Sequence, residues 1–256
     1  MIQSIPQDYS ERQRIEKLYH DEKYRDESVD EGGRAANIKR AFGRFWDLIA
    51  SAQGQTVLDF GCGTGWLSVA LARRGNRVHG FDISGVLVER ARRLAAEANV
   101  SDRVSFREMA AEHLDFPPDS FDLVVGSAVL HHTDLNVTLP CIKRVLKPTG
   151  RAIFVEPLNQ NVFLAVWRRL TPWRRSATER AFTKEDLDTV RRYFPGMRMT
   201  FYCLTSIFAV GLLMVLPNSG IVHALNDRLD DLDERLVGWF PSLGRFSAVV
   251  LLEMRK

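Results

Sequence analysis

Very little separates the two signs of charge in this 256-residue chain: 35 Lys and Arg stand against 32 Asp and Glu, a net charge of +3. Neutralising a phosphate backbone takes a concentrated basic excess, so nucleic acid is not expected as a partner. Cysteine is scarce too. Cys62, Cys141 and Cys203 are odd in number and share no CxxC or Cys/His spacing, which speaks against a disulfide framework and against any metal site. Reduced thiols and a cytoplasmic setting are the expectation. The opening Met-Ile-Gln-Ser-Ile-Pro runs into charged residues without an apolar segment, so no secretory signal is expected. Internal repeats and low-complexity tracts are also missing. The largest absence is local, because no Lys, Arg, Asp or Glu occurs from Met199 to Asn226.

What is present is the composition of an ordinary globular protein, 45% hydrophobic and 26% charged. A chain of this length buries about 70 to 75% of its unfolded surface, enough for one large core with a modest appendage. Residues 1 to 50 read as helices, with Ile15, Leu18 and Tyr19, then Ala41, Phe42, Phe45, Trp46 and Ile49, at helical spacing around a break at Glu31-Gly32-Gly33. Short apolar runs follow at 57–60, 78–81, 104–106, 123–125 and 152–155, alternating with helical segments at 66–73, 85–98 and 139–146. That alternation predicts βαβ units and a parallel sheet. Lys147-Pro148-Thr149-Gly150 is the stop before the fifth strand.

The strongest chemical signal is Val57-Leu58-Asp59-Phe60-Gly61-Cys62-Gly63-Thr64-Gly65, an apolar strand with a carboxylate and three alternating glycines before a helix. Glycine there lets the backbone take left-handed dihedrals and lets a ligand approach it. A second carboxylate, Asp82, ends the second strand, where it can accept from both hydroxyls of a ribose. A dinucleotide site would use GxGxxG with a pyrophosphate on the helix N-terminus, but the spacing here is GxGxG. Asp59 would repel a pyrophosphate and suits a ligand carrying an ammonium and a sulfonium, which points to S-adenosylmethionine. A nicotinamide oxidoreductase remains the rival reading.

Together with Phe81-Asp82-Ile83-Ser84, Phe121-Asp122-Leu123-Val124-Val125 and Arg144-Val145-Leu146-Lys147-Pro148, the glycine loop resembles the successive motifs of class I S-adenosylmethionine-dependent methyltransferases. The resemblance covers roughly residues 40 to 195 and is greatest to the small-molecule subset related to the ubiquinone and menaquinone methylases. It implies a Rossmann-like seven-stranded sheet, mostly parallel with the last strand antiparallel. It also implies that Gly61, Cys62, Gly63 and Gly65 lie under the methionine part of the cofactor, that Asp82 holds the ribose and that Ile83, beside Ser84, packs on adenine. Met109-Ala110-Ala111-Glu112 matches the adenine-edge motif, with Ala110 where an Asp is usual, and Thr149 stands where a glycine is typical. Cys62 reads as a small residue suited to tight packing.

Ser127-Ala128-Val129-Leu130-His131-His132-Thr133-Asp134 follows the fourth strand at its carboxyl end, where ligands sit in open α/β sheets. Ser127 is expected beside the cofactor. Methyl transfer is an in-line displacement at an activated carbon, so positioning and desolvation do most of the work. His132 and His131 are the candidate bases if the acceptor loses a proton, with packing and turn-capping the alternatives. Glu156, ending the fifth strand, either orients the substrate or bonds nearby backbone. Tyr19 and Trp46, with Tyr24, would belong to a lid, ordinary helix packing being the alternative. The absence of Asn-Pro-Pro-Tyr or Asp-Pro-Pro-Tyr after the fourth strand argues against DNA amine methylation.

The C-terminal third is less regular. Residues 160–198 hold nine Lys or Arg against four acids, including Trp167-Arg168-Arg169 and Trp173-Arg174-Arg175. In the uncharged stretch a sixth strand, 199–204, is expected, then helices 207–216 and 222–236; Leu225, Leu229, Leu232 and Leu236 form the apolar face of the second, opposite an acidic one. Pro217-Asn218-Ser219-Gly220 breaks the run and counts against a spanning helix. The expected division is a lid at 1–50, a cofactor-binding α/β core at 51–204, a helical insert at 205–245 and a last strand at 246–256. The insert would complete a substrate pocket, pack on a second copy as a homodimer, or rest on a membrane surface beside the basic residues. The expected activity is methylation of an O, N or C atom of a small, apolar molecule, a quinone, isoprenoid, lipid or natural product. A non-catalytic cofactor- or partner-binding protein is the alternative.

Overall fold

A computed structural model describes residues 9–26, 38–171, 178, 180–213 and 215–256. Seven strands form one sheet: β1 Thr56–Phe60, β2 Arg77–Asp82, β3 Val104–Glu108, β4 Phe121–Ser127, β5 Leu146–Pro157, β6 Arg198–Tyr202 and β7 Val249–Arg255, in the order β3-β2-β1-β4-β5-β7-β6. The first five pair in parallel, and β7 runs antiparallel between β5 and β6. The order reverses between β1 and β4, so the crevice for a ligand lies at the carboxyl ends of those strands.

Strand side chains alternate between two apolar layers, as a sheet covered on both faces requires. Val57, Leu123, Val125, Ile153 and Leu251 face one layer; Leu58, Phe60, Val124, Phe154 and Leu252 face the other. The first layer is covered by helices α2 Lys39–Ala50, α3 Trp66–Ala72 and α4 Gly85–Glu97, the second by α5 Leu135–Val145 and α7 Lys184–Tyr193. Between α5 and α7 lies α6, Val162–Leu170; α8, Ile207–Leu213, and α9, Gly220–Trp239, follow β6. Trp173-Arg174-Arg175 and Glu31-Gly32-Gly33 fall outside the described residues.

Several sequence expectations need correction. Residues 1–50 are not one lid: α2 buries Ala41, Phe45 and Ile49 in the core, while α1, Glu11–Lys23, lies over the carboxyl edge of the sheet. Trp46 stands apart from that edge, with the Arg74 guanidinium 5.6 Å from its ring in the turn that leads into β2. The Lys147–Gly150 turn is taken into β5, whose pairing with β4 shifts register between Phe121 and Leu123. The final strand begins at Val249, after a 3-10 turn, Pro241–Phe246.

Two helices are turned inside out relative to their apolar stripes. On α9 the buried residues are Val222, Asn226, Asp230 and Asp233, whereas Leu225 and Leu232 are exposed. The Asp233 carboxylate accepts from the amides of Leu204, Thr205 and Ser206 at 2.9, 2.8 and 3.0 Å, so it anchors α9 to the chain entering α8. Arg40 of α2 pairs with Asp231 and with Glu234, at 2.8 Å for the latter, and crosses to Asp230. On α1 the buried residues are Gln13, Glu16 and Lys17, and Leu18 is exposed.

Candidate active site

Backbone geometry sets the turn after β1. Gly61 has φ +67°, and a Cβ built there would lie 2.3 Å from Val129 Cγ2. Gly65, at φ +82°, would bring a Cβ within 2.7 Å of the Ala91 Cβ, so its hydrogen is what lets α3 start against α4. The Gly63 amide donates to Asp82 Oδ2 at 3.0 Å and the Ser84 amide to Oδ1 at 2.9 Å. The second carboxylate thereby ties the glycine loop to the start of α4. Asp59 is buried and accepts from Ser68 Oγ at 2.6 Å. Cys62 is buried beneath the loop, where its amide donates to the Phe81 carbonyl at 2.8 Å.

Helix α1 closes over these groups with its polar face. Lys17, almost wholly buried, reaches Glu108 at 2.7 Å, Asp21 at 3.0 Å and the Ile83 carbonyl at 3.4 Å. Burial works against its ammonium, but the bonds to Glu108 and Asp21 outweigh that and raise its pKa. Asp21 accepts from Ser84 Oγ at 2.5 Å, and Ser84 also caps α4, so Ser84 is a joint between lid and core with no exposed surface. Gln13 donates to Glu112 at 2.8 Å, and the other Glu112 oxygen accepts the Asp134 amide at 3.1 Å. Ile83 is half-buried, and Ala110 and Ala111 are buried beside a cleft of about 290 Å³ lined by Tyr9, Glu108, Met109, Ala110 and His113.

The segment after β4 separates the three acid–base candidates. Ser127, half-buried, ends the strand, and exposed Ala128 takes φ +54°. Glu156 is completely buried: Oε1 accepts the amides of Val129 and Leu130 at 3.0 and 2.8 Å, and Oε2 lies 2.8 Å from His131 Nδ1. Glu156 and His131 therefore brace the turn from below. His132 points the other way, toward α1, with Nδ1 3.1 Å from Glu16 Oε2. His20 completes the group, Nε2 3.7 Å from the same oxygen and its ring edge-on to His132 at 5.5 Å. Burial, then the neighbouring His132, pushes the His20 imidazole down to about 4. Thr178 Oγ1 donates to Glu16 Oε1. Tyr19 lies edge-on to His20 at 5.3 Å, and Tyr24 stacks on that imidazole at 5.9 Å.

Sequence reasoning missed Gln13, Glu16, Lys17, His20 and Asp21. Their spacing of three and four residues marks one helical face, a signal obscured by the apolar residues between them.

A family profile described as a methyltransferase domain matches residues 58–154, which run from β1 into β5. That match, to a methyltransferase domain, spans less than half of the chain. It is 37% identical over 117 residues to the ubiquinone biosynthesis O-methyltransferase of Paracidovorax citrulli, covering 45% of this chain and 48% of that protein. It is 36% identical over 108 residues to the dimethylglycine N-methyltransferase of Parasynechococcus marenigrum, covering 41% and 39%. The chain thus spans about half the length, or less, of the curated relatives it matches. Over nearly its whole length it shares its fold with the geranyl diphosphate C-methyltransferase of Streptomyces coelicolor, solved with Mg2+, geranyl diphosphate and S-adenosyl-L-homocysteine: TM-score 0.65, 16% identity, 98% of this chain and 99% of that one. The [4+2]-cyclase SpnF shares the fold as well, with a TM-score of 0.56 at 23% identity over 83% of this chain and 80% of that one, so the fold by itself does not name the reaction.

Proposed function

We propose that this protein is an S-adenosylmethionine-dependent methyltransferase acting on a small, apolar acceptor. The observation that carries the reading is the pair of buried carboxylates, Asp59 and Asp82, ending adjacent strands on either side of a glycine loop whose Gly63 amide is bonded to Asp82. This donor set fits the cofactor: Asp82 suits a ribose diol, and Asp59 suits an ammonium and would repel the pyrophosphate of a dinucleotide. Asp59 and the Gly61–Gly65 loop would hold the methionine part, Asp82 the ribose, and Ile83 with Ala110 and Ala111 the adenine. When bound, the cofactor supplies a methyl group already activated on a sulfonium.

The chain's own residues then bind, orient and exclude water. Helix α1 covers the crevice through Gln13, Lys17 and Asp21, and Ser127 stands at its rim. Where the acceptor carries a proton, His132, on a turn held by His131 and Glu156, is our candidate to take it in the metal-free protein. Incubation with methyl-labelled S-adenosylmethionine and host extract should label a compound in the organic phase; no labelled acceptor in either the organic or the aqueous phase refutes the reading.

We further propose that α6 together with the start of the insert faces a membrane, in preference to a homodimer. Exposed Val162, Phe163 and Val166 of α6 and Phe208 of α8 adjoin one another, Phe163 and Phe208 with ring centroids 6.1 Å apart, and Arg168 and Arg169 follow on α6. Apolar side chains beside arginines suit an anionic lipid surface. None of the helices among the described residues is long and apolar enough to cross a membrane.

A further inference from the structure

We propose that Glu16, His20 and His132 form a binding site for one first-row divalent metal ion of the zinc or ferrous class, which fastens α1 to the turn after β4. Sequence reasoning expected no metal, because the cysteines lack ligand spacing; Glu16 and His20 are also far along the chain from His132. Folding brings them together. Glu16 Oε2 lies 3.1 Å from His132 Nδ1 and 3.7 Å from His20 Nε2, and all three ligand atoms fall within 4.8 Å of one another. Among the described residues this is the one group of three such side chains so arranged.

Two of the three spacings suit a bound metal. A tetrahedral ion with bonds of about 2.0 to 2.1 Å holds ligand atoms about 3.3 Å apart. Two of the three edges already match to within about half an ångström of that. Glu16 and His20, four residues apart, project from one face of α1, so the helix delivers two ligands without rearrangement. The third comes from a turn fixed by the buried Glu156. The second Glu16 oxygen is engaged by Thr178, the outer-shell contact that orients a ligating carboxylate. Two imidazoles and one carboxylate suit zinc, ferrous iron, cobalt or nickel, whereas magnesium and calcium prefer oxygen throughout. Three protein ligands leave a coordination position for a further oxygen donor, as in open metal sites. With the ion in place His132 is a ligand and the lid is cross-linked to the core. The site stands on these three residues whether or not the protein transfers methyl groups.

The test is equilibrium dialysis of chelator-treated protein against zinc, with metal counted per chain, beside amide hydrogen exchange of α1. One zinc per chain at micromolar free metal is expected. His20→Ala and isosteric Glu16→Gln should each weaken binding at least tenfold, while His223→Ala, at a histidine elsewhere, leaves it unchanged. Zinc should slow exchange across residues 11–23 in the unaltered protein and not in His20→Ala. Circular dichroism of each variant separates lost ligation from lost folding, and binding of S-adenosylhomocysteine, measured separately, reports on the methyltransferase reading alone. No zinc bound, or equal binding by the unaltered protein and both ligand variants, overturns the proposal.

Discussion

Replacing Gly61 with alanine should cost far more than a glycine-to-alanine change ordinarily does. An L-residue at φ +67° costs about 1 to 2 kcal/mol. The added carbon would also lie 2.3 Å from Val129 Cγ2 and 3.0 Å from Val129 Cβ, an overpacking that costs about 1 to 3 kcal/mol more. The expected loss is therefore about 2 to 5 kcal/mol, read as a lower urea midpoint at unchanged slope. The two parts separate in a double-mutant cycle. Val129→Ala removes the atom at 2.3 Å but leaves the backbone strain, so the double variant should be more stable than the sum of the single losses by about 1 kcal/mol or more. Gly43 is the control: it lies inside α2 with nothing within 4 Å of a built Cβ, and alanine there should stabilise by about 0.5 to 1 kcal/mol. Additivity of the Gly61 and Val129 changes to within about 0.3 kcal/mol would show that the loop does not pack on the β4 turn as described.

Three further outcomes follow from the same structure. Glu156→Ala should destabilise by about 3 kcal/mol or more in denaturant unfolding, because it strands two amide donors and the bond to His131, whereas Glu156→Gln should retain most of the stability. At Asp122 burial alone would raise the carboxyl, but Lys147 and the Thr56 amide outweigh it and hold the pKa below its usual value. Its contribution is therefore full above the unfolded value of about 3.9 and is lost as pH falls through the lower folded one. The pair is partly exposed, so Asp122→Asn should cost about 1 kcal/mol or less at pH 7, and the gap should close toward pH 3 in urea titrations. Finally, Phe163→Asp with Val166→Asp should abolish sedimentation with anionic vesicles while leaving S-adenosylhomocysteine binding intact; unchanged sedimentation removes the membrane role of α6, and a shift from dimer to monomer points to self-association instead.

The core of the fold was legible because its signals are local. Strands β1 and β4 centre on short apolar runs ending at a turn, and the Gly61–Gly65 loop announces its own dihedrals. The two helices that turn charged faces inward were not legible. A hydrophobic stripe predicts which side is buried only when burial is apolar. On α1 and α9 the inward side chains are satisfied by partners far away in sequence, Lys17 by Glu108 and Asp233 by the amides at 204–206. The same limit applies to His131 and His132, neighbours whose opposite roles depend on which way a three-residue turn presents them. Trp46 shows the converse, an aromatic at helical spacing that belongs to the core layer and not to a lid.

The central claim is that the sheet edge marked by Asp59 and Asp82 takes an S-adenosyl nucleoside. Calorimetric titration tests it most directly, with S-adenosylhomocysteine and NAD added in parallel to the unaltered protein and to Asp82→Ala. The account predicts binding of S-adenosylhomocysteine, weakened in Asp82→Ala by about 1.5 to 3 kcal/mol, the worth of a charge-assisted hydrogen bond, and no binding of NAD. Binding of NAD without S-adenosylhomocysteine would contradict it, as would an affinity for S-adenosylhomocysteine that Asp82→Ala leaves unchanged.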